Sequence, residues 1–93
     1  MDDNVRAHVI VAGRVQGVFF RLETQRAAAR YGVAGWVRNK RDGTVEAVFE
    51  GDKAGVDAIL EWCKQGSPGA IVERVDVEWE PYTGEYPNFE ITY

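Results

Sequence analysis

Cysteine and histidine are scarce in this chain of 93 residues, which has one of each, Cys63 and His8. A single cysteine excludes an internal disulfide and a metal site built from several thiolates, and it favours a reducing compartment. Cys63 shares a helical face with apolar residues, so we expect it in the core. His8 lies inside a predicted strand, where we expect it to face solvent and not to act as a catalytic base. No group of ligand side chains indicates a metal, so we expect neither a metal nor another cofactor.

Long apolar runs are absent as well. The stretch after the acidic start Met1-Asp2-Asp3-Asn4 is too short, and has the wrong flanks, for a signal peptide or a membrane span. A chain of 93 residues is long enough for one domain with its own core. We therefore expect a single domain over residues 1–93, in a soluble, cytoplasmic, monomeric protein with no membrane partner.

Positive charge is scarce overall, since the formal net charge is −4 at pH 7, but its distribution is uneven. Residues 1–46 contain eight basic and five acidic side chains, whereas residues 47–93 contain three basic and ten acidic ones. An acidic protein is a poor candidate for binding a nucleic-acid backbone, so we expect no nucleic-acid partner. The basic half could still attract a small anion.

The apolar pattern alternates between strand and helix periods along the chain. It predicts strands over 5–12, 33–39, 44–50, 74–80 and 89–93, a helix over 22–31, and a second helix between 52 and 66. Asp42-Gly43 is typical of a hairpin turn, Gly32 of a helix C-cap and Asp52 of a helix N-cap. The order βαββαβ with half-polar strands predicts an α+β fold, in which two helices cover one face of a mainly antiparallel sheet and a further strand ends the chain. The polar strand positions should form a solvated face: Glu46, Glu50, Asp76, Glu78 and Glu80.

The loop between the first strand and the first helix has the composition of an anion-binding loop, Gly13-Arg14-Val15-Gln16-Gly17-Val18-Phe19-Phe20-Arg21. Amide groups at a helix N-terminus lack partners within the helix, and the helix dipole attracts negative charge there. Gly17 lets the backbone approach a ligand closely, and the planar guanidinium of Arg21 suits phosphate oxygens. Phosphate is the natural ligand, although an ordinary strand-to-helix turn with a surface arginine fits the same residues.

Three known kinds of phosphate-binding loop do not fit this stretch. Gly13 and Gly17 enclose only three residues, and no Lys-Ser or Lys-Thr follows, which excludes a Walker loop. No two glycines stand two positions apart, which excludes the dinucleotide fingerprint. A thiol phosphatase would have a cysteine six positions before the arginine, where this chain has Val15. A covalent phosphocysteine is therefore excluded.

The chain resembles the acylphosphatase family in two separate motifs. One is the loop quoted above, and the other is Gly35-Trp36-Val37-Arg38-Asn39 followed by Asp42-Gly43-Thr44-Val45-Glu46. The resemblance covers about residues 6–93 and implies a ferredoxin-like fold and hydrolysis of the carboxyl–phosphate bond in small acyl phosphates. It also implies that Arg21 binds the phosphoryl group and that Asn39 positions the attacking water. Loop amides would complete the phosphate site: Gln16, Gly17, Val18, Phe19 and Phe20.

Elementary chemistry agrees with a site that lacks an acid, a base and a metal. An acyl phosphate expels a carboxylate, whose conjugate acid has a pKa of about 4, so the leaving group needs little protonation. Without a covalent nucleophile water must attack, and the amide of Asn39 could both donate to that water and accept from it. From the residues alone, however, Asn39 fits better as a strand-end residue that supports the following turn.

Two other functions fit parts of the sequence. A phosphate-binding module without catalysis would need the loop but not both Arg21 and Asn39. A single-stranded RNA binder of the ferredoxin-like type would need aromatic and basic side chains on its central strands, which contain mostly Ala, Val, Ile and Glu. We expect Trp36, Trp62 and Trp79 to pack mostly in the core or at an edge, although an aromatic side chain near Asn39 could line a pocket for the acyl group.

Overall fold

A computed structural model describes residues 3–93, and Met1 and Asp2, the first residues of the predicted domain, lie outside the described residues. The elements are β1 (Asn4–Arg14), α1 (Phe20–Tyr31), β2 (Ala34–Asn39), β3 (Val45–Asp52), α2 (Lys53–Gln65), β4 (Ile71–Glu80) and β5 (Phe89–Ile91). The predicted order of elements is confirmed. Helix α1 begins at Phe20, two residues earlier than predicted, and ends as predicted before Gly32, which has a φ of 68°.

The five strands form one sheet in the order β4-β1-β3-β2-β5. All neighbouring strands are antiparallel except β2 and β5, which run parallel. Helix α1 packs on β2 and β5, α2 packs on β1, β3 and β4, and the two helices contact each other. Both helices therefore cover the same face of the sheet. The predicted ferredoxin-like α+β fold with an added C-terminal strand is confirmed.

Alternation along the strands decides which side chains enter the core between sheet and helices. In β1 the core-facing residues are Ala7, Val9 and Val11, each at most 1% exposed. Helix α2 contributes Cys63, which is 1% exposed, so its predicted place in the core is confirmed. Burial raises the pKa of the Cys63 thiol to about 12. The thiol is therefore protonated and unreactive at neutral pH.

The opposite face of the sheet differs from the prediction of a solvated surface. Strands β4 and β5 occupy the two edges of the sheet, so the segment between them, residues 81–88, must cross this face. Glu50 in β3 lies beneath the segment and is 2% exposed. It accepts hydrogen bonds from Thr83 N (2.9 Å), Thr83 Oγ1 (2.8 Å) and Gly84 N (3.0 Å). The prediction is wrong at Glu50, because alternation within a strand does not record what a distant segment covers.

The start of α2 also differs in one detail from the prediction. Asp52 occupies the N-cap position, but its side chain makes no capping hydrogen bond. Asp52 is still paired with Asn4 in the sheet, so the chain passes from β3 into α2 without a connecting loop.

Candidate active site

The loop between β1 and α1 has an unusual backbone at two positions. Gly17 and Phe19 both adopt the left-handed conformation, with φ of 75° and 60°. Glycine adopts it readily, whereas a bulky residue such as phenylalanine rarely does. Phe19 is the N-cap of α1, and no side chain within the described part of the chain caps the helix. The amides of the first helical turn are therefore available to a ligand.

Two polar side chains fasten this loop to distant parts of the chain. Gln16 donates from Nε2 to the carbonyl oxygens of Lys40 (2.7 Å) and Thr44 (2.8 Å), at the two ends of the β2–β3 turn. Ser67 is 3% exposed and donates from Oγ to the carbonyl oxygen of Val18 (2.8 Å). The sequence predicted a role only for the backbone amide of Gln16, and it predicted no role for Ser67 at the site. The partners lie 24, 28 and 49 positions away, so no local pattern indicated these contacts.

A cavity of about 310 Å³ lies between the loop, the start of α1 and the ends of β2 and β5. Its walls are formed by Val15, Gly17, Phe19, Phe20, Arg21, Leu22, Asn39, Ile91 and Tyr93. Two of the predicted site residues do not line it. The side chain of Gln16 is turned to the β2–β3 turn, and Val18 packs against the core. The cavity nevertheless brings together Arg21 and Asn39, the two residues that the sequence motifs single out.

Asn39 reaches the cavity because it is the last residue of β2, where it pairs with Val45 of β3. Strand β2 can approach β3 closely because residue 35 is a glycine. Gly35 has a φ of 134°, and a side chain there would collide with the carbonyl oxygen of Val48. The side chain of Asn39 is half-buried, and its carboxamide group has no hydrogen-bond partner among residues 3–93. Its donor and acceptor are therefore both available to a ligand or water in the cavity.

Arg21 is contacted by two residues that follow β5, Thr92 and Tyr93. Its guanidinium donates to the carbonyl oxygen of Thr92 at 3.4 Å, which is a weak contact, and lies 4.8 Å from the ring centre of Tyr93. No carboxylate pairs with Arg21 in the described residues 3–93. A guanidinium has five N–H donors, so most of them remain available to an anion. The cavity thus combines a fixed positive charge, helix N-terminal amides and a neutral amide.

The other polar residues of interest lie outside this cavity. His8 is on the helix-free face, half-buried, with Nε2 2.7 Å from Glu46 Oε2. Arg38 donates from Nε to the other oxygen of Glu46 at 2.6 Å. Burial alone would raise the pKa of Glu46, but the bonds from His8 and Arg38 hold it below its usual range. Trp36 lies beside Arg38 and does not line the active-site cavity. The aromatic side chains that line this cavity with Asn39 are those of the loop and of Tyr93.

Within residues 3–93, no three His, Cys, Asp or Glu side chains are placed to hold a metal ion. No helix in the same range is both long and apolar enough to cross a bilayer. The expected independence of metals and the expected monomeric state stay predictions.

Comparison with known proteins identifies the family. The model of the acylphosphatase family matches residues 7–91. The chain belongs to the acylphosphatase family. An acylphosphatase from Pelotomaculum thermopropionicum is 56% identical over 88 residues, which cover 95% of this chain and 96% of the relative. One from Pyrobaculum islandicum is 57% identical over 90 residues, covering 96% and 95%. The crystal structure of acylphosphatase from Bacillus subtilis has a TM-score of 0.92 at 37% identity, covering 96% of this chain and 99% of the other.

Membership of the acylphosphatase family confirms the predicted enzyme class, a hydrolase of acyl phosphates. The matched residues include both sequence motifs, the loop that ends at Arg21 and the strand that ends at Asn39. The fold shared with the Bacillus subtilis acylphosphatase also agrees with the predicted ferredoxin-like topology.

Proposed function

We propose that this chain hydrolyses small acyl phosphates to a carboxylate and inorganic phosphate by direct attack of a water molecule that Asn39 orients. The main support is the shared cavity of about 310 Å³, which Arg21 and Asn39 line from two distant motifs. Arg21 and the loop amides of residues 16–20 bind the phosphoryl group. The acyl phosphate is the only partner that this site requires.

Arg21 suits the phosphoryl group for reasons of charge and shape. Its guanidinium has a fork of donors that matches two phosphate oxygens, and such charge-assisted bonds are stronger than neutral ones. No carboxylate within residues 3–93 competes for it. The first-turn amides of α1 add donors where negative charge accumulates in the transition state. Guanidinium and amides together do the work that cations do in many other phosphoryl-transfer sites.

Asn39 suits the attacking water because an amide can accept one hydrogen bond from it and donate another. In the reaction, the water oxygen bonds to phosphorus while the bond from phosphorus to the carboxylate oxygen breaks. An amide is too weak a base to take the water's proton, so the proton goes to a phosphate oxygen of the substrate. The carboxylate leaves without protonation, because its conjugate acid has a pKa of about 4. Positioning and electrostatic stabilisation supply the catalysis.

The role of Asn39 is tested by replacing it with alanine. Asn39→Ala should reduce kcat for acetyl phosphate by about a hundredfold or more, because the water loses its orientation. Arg21 and the loop remain, so inorganic phosphate should inhibit at nearly its original concentration. Asn88→Ala, at an exposed asparagine outside the cavity, is the matched control and should retain full activity. If Asn39→Ala keeps most of the activity, Asn39 does not orient the water and only supports the following turn. The same conclusion holds if the activity is lost only because the variant is unfolded, as judged by circular dichroism.

Independence of metals follows from the same arrangement. Hydrolysis of acetyl phosphate should proceed at an unchanged rate in excess chelator, because guanidinium and amide groups stabilise the phosphoryl group. Loss of turnover in chelator with recovery on adding Mg²⁺ would contradict the proposed mechanism. A parent protein that binds phosphate but hydrolyses no acyl phosphate would instead support a binding module.

A further inference from the structure

Exposed apolar side chains are concentrated at the mouth of the active-site cavity. Among residues 3–93, seven large apolar side chains are exposed, and three of them, Phe19, Leu22 and Tyr93, line this cavity. The ring of Tyr93 is accounted for by its contact with the Arg21 guanidinium at 4.8 Å. Phe19 is 76% exposed and Leu22 37% exposed, and neither has such a partner. Apolar surface grouped at the mouth of a site is typical of a surface that contacts a ligand.

The backbone at Phe19 strengthens this interpretation. The loop requires a left-handed residue at the N-cap of α1, with φ 60° and ψ 24°. Glycine or asparagine adopts that conformation with less strain than phenylalanine. The ring does not compensate by packing, since it is 76% exposed. A large apolar side chain at this strained, exposed position is therefore better explained by contact with a ligand than by folding.

The direction of the reaction indicates which part of the substrate meets these side chains. In phosphoryl transfer the attacking and leaving oxygens lie roughly in line on opposite sides of phosphorus. In the proposed mechanism, the water held by Asn39 and the acyl group therefore lie on opposite sides of phosphorus. Arg21 and the loop amides hold the phosphoryl oxygens inside the cavity, so the acyl group extends from phosphorus toward the cavity mouth. Phe19 and Leu22 line the cavity and are exposed at this mouth.

We propose that Phe19 and Leu22 form a subsite for the acyl group, and that the enzyme prefers acyl phosphates whose acyl group is apolar. This inference rests on the proposed function. The subsite is an exposed apolar surface at the cavity mouth. It contacts the acyl chain from one side and therefore tolerates chains of different length. Its contribution is hydrophobic contact and grows with the apolar area of the acyl group.

The test compares acetyl phosphate with hexanoyl phosphate, which differ in apolar area while their carboxylate leaving groups are almost equally acidic. The measured quantity is selectivity, the ratio of kcat/KM for hexanoyl phosphate to that for acetyl phosphate. In the parent this ratio should exceed one. It should fall by about threefold to tenfold in Leu22→Gln and in Phe19→Asn, because each loses apolar contact with the longer chain. Asparagine is chosen at position 19 because it tolerates the left-handed backbone.

Val77→Gln is the matched control, because Val77 is 39% exposed, close to the 37% of Leu22, and lies on β4 away from the cavity. It should leave both kcat/KM values unchanged. The subsite proposal is wrong if the parent ratio is one, or if the ratio is unaffected in both Leu22→Gln and Phe19→Asn. Either result leaves the proposed hydrolytic function intact. Failure of the parent to hydrolyse either compound overturns the proposed function itself. If Phe19→Asn does not fold, Leu22→Gln alone decides the outcome.

Discussion

Two half-buried arginines, Arg6 and Arg21, occupy opposite electrostatic settings in this molecule. Arg6 on the helix-free face pairs with Glu50 (3.1 Å), Glu80 (2.8 Å) and Glu85 (3.6 Å). Hydrogen bonding, above all with Glu80, raises the pKa of Arg6 despite its burial. Arg21 in the active-site cavity has one weak bond to a carbonyl oxygen and the face of an aromatic ring.

The difference shows how one residue type serves two purposes. The donors of Arg6 are used within the protein, so its charge fastens residues 81–88 to the sheet and attracts no ligand. Arg21 keeps its donors available because no carboxylate within residues 3–93 is near enough to pair with it. A guanidinium whose donors are available at a cavity wall is placed to bind an anion. The absence of a carboxylate is thus the feature that distinguishes the binding arginine from the structural one.

The same substitution at both arginines should separate these purposes and give the largest effect. Arg21→Gln should reduce turnover of acetyl phosphate by about a thousandfold, because the fork and the charge are lost. It should raise the inhibition constant of phosphate by about tenfold to a hundredfold, as expected for a charge-assisted contact. Its free energy of unfolding should change by less than about 1 kcal/mol. Enzyme assays and urea unfolding measure the three quantities.

Arg6→Gln should show the opposite pattern. It leaves Glu50 buried without its cation, so the free energy of unfolding should fall by about 2 to 4 kcal/mol. Activity per folded molecule should remain that of the parent. If Arg6→Gln impairs turnover in the folded protein, or Arg21→Gln destabilises as much as Arg6→Gln, the division into structural and binding arginines is wrong.

A smaller effect is expected from the uncharged side chains that hold the active site together. Gln16→Met keeps the volume of the side chain but removes both bonds to the β2–β3 turn, so Asn39 should lose its alignment with the loop. We expect kcat to fall about tenfold while the phosphate inhibition constant stays within about twofold. Ser67→Ala loosens the loop itself and should weaken phosphate binding instead. Equal losses of kcat and of phosphate binding in Gln16→Met would show that Gln16 supports only the loop.

The smallest effect should appear in the pH dependence of stability. Burial alone would raise the pKa of Glu50, but hydrogen bonds from Thr83, Arg6 and Gly84 hold it below its usual value of 4.5. A carboxyl group whose pKa is lowered by folding contributes stability above its unfolded pKa and loses it as the pH falls through the folded value. The difference in unfolding free energy between parent and Glu50→Gln should therefore be greatest above pH 4.5 and shrink below it. A constant difference from pH 7 to pH 3 would contradict this.

Much of the fold and the residues proposed for catalysis could be predicted from sequence. The apolar periods of Val9, Ile59 and their neighbours are local properties, so the element order and the core face followed from them. The two motifs that contain Arg21 and Asn39 were recognisable because each lies within a short stretch of the chain. Solvation of Glu50 was predicted wrongly, because alternation within β3 could not show that residues 81–88 cross the sheet.

What the sequence by itself determined is therefore the set of elements, their apolar faces and the chemistry of the two motifs, all of which depend on neighbouring residues and backbone preferences. Only the tertiary structure decided how those parts meet. The bonds from Gln16 to the β2–β3 turn and from Ser67 to the loop join residues 24 to 49 positions apart. The ion pairs of Arg6, the lack of a carboxylate partner for Arg21 within residues 3–93 and the exposure of Phe19 likewise depend on which distant groups the fold brings within a few ångströms. Such contacts leave no local trace in the chain, because hydrogen bonds and ion pairs act through space.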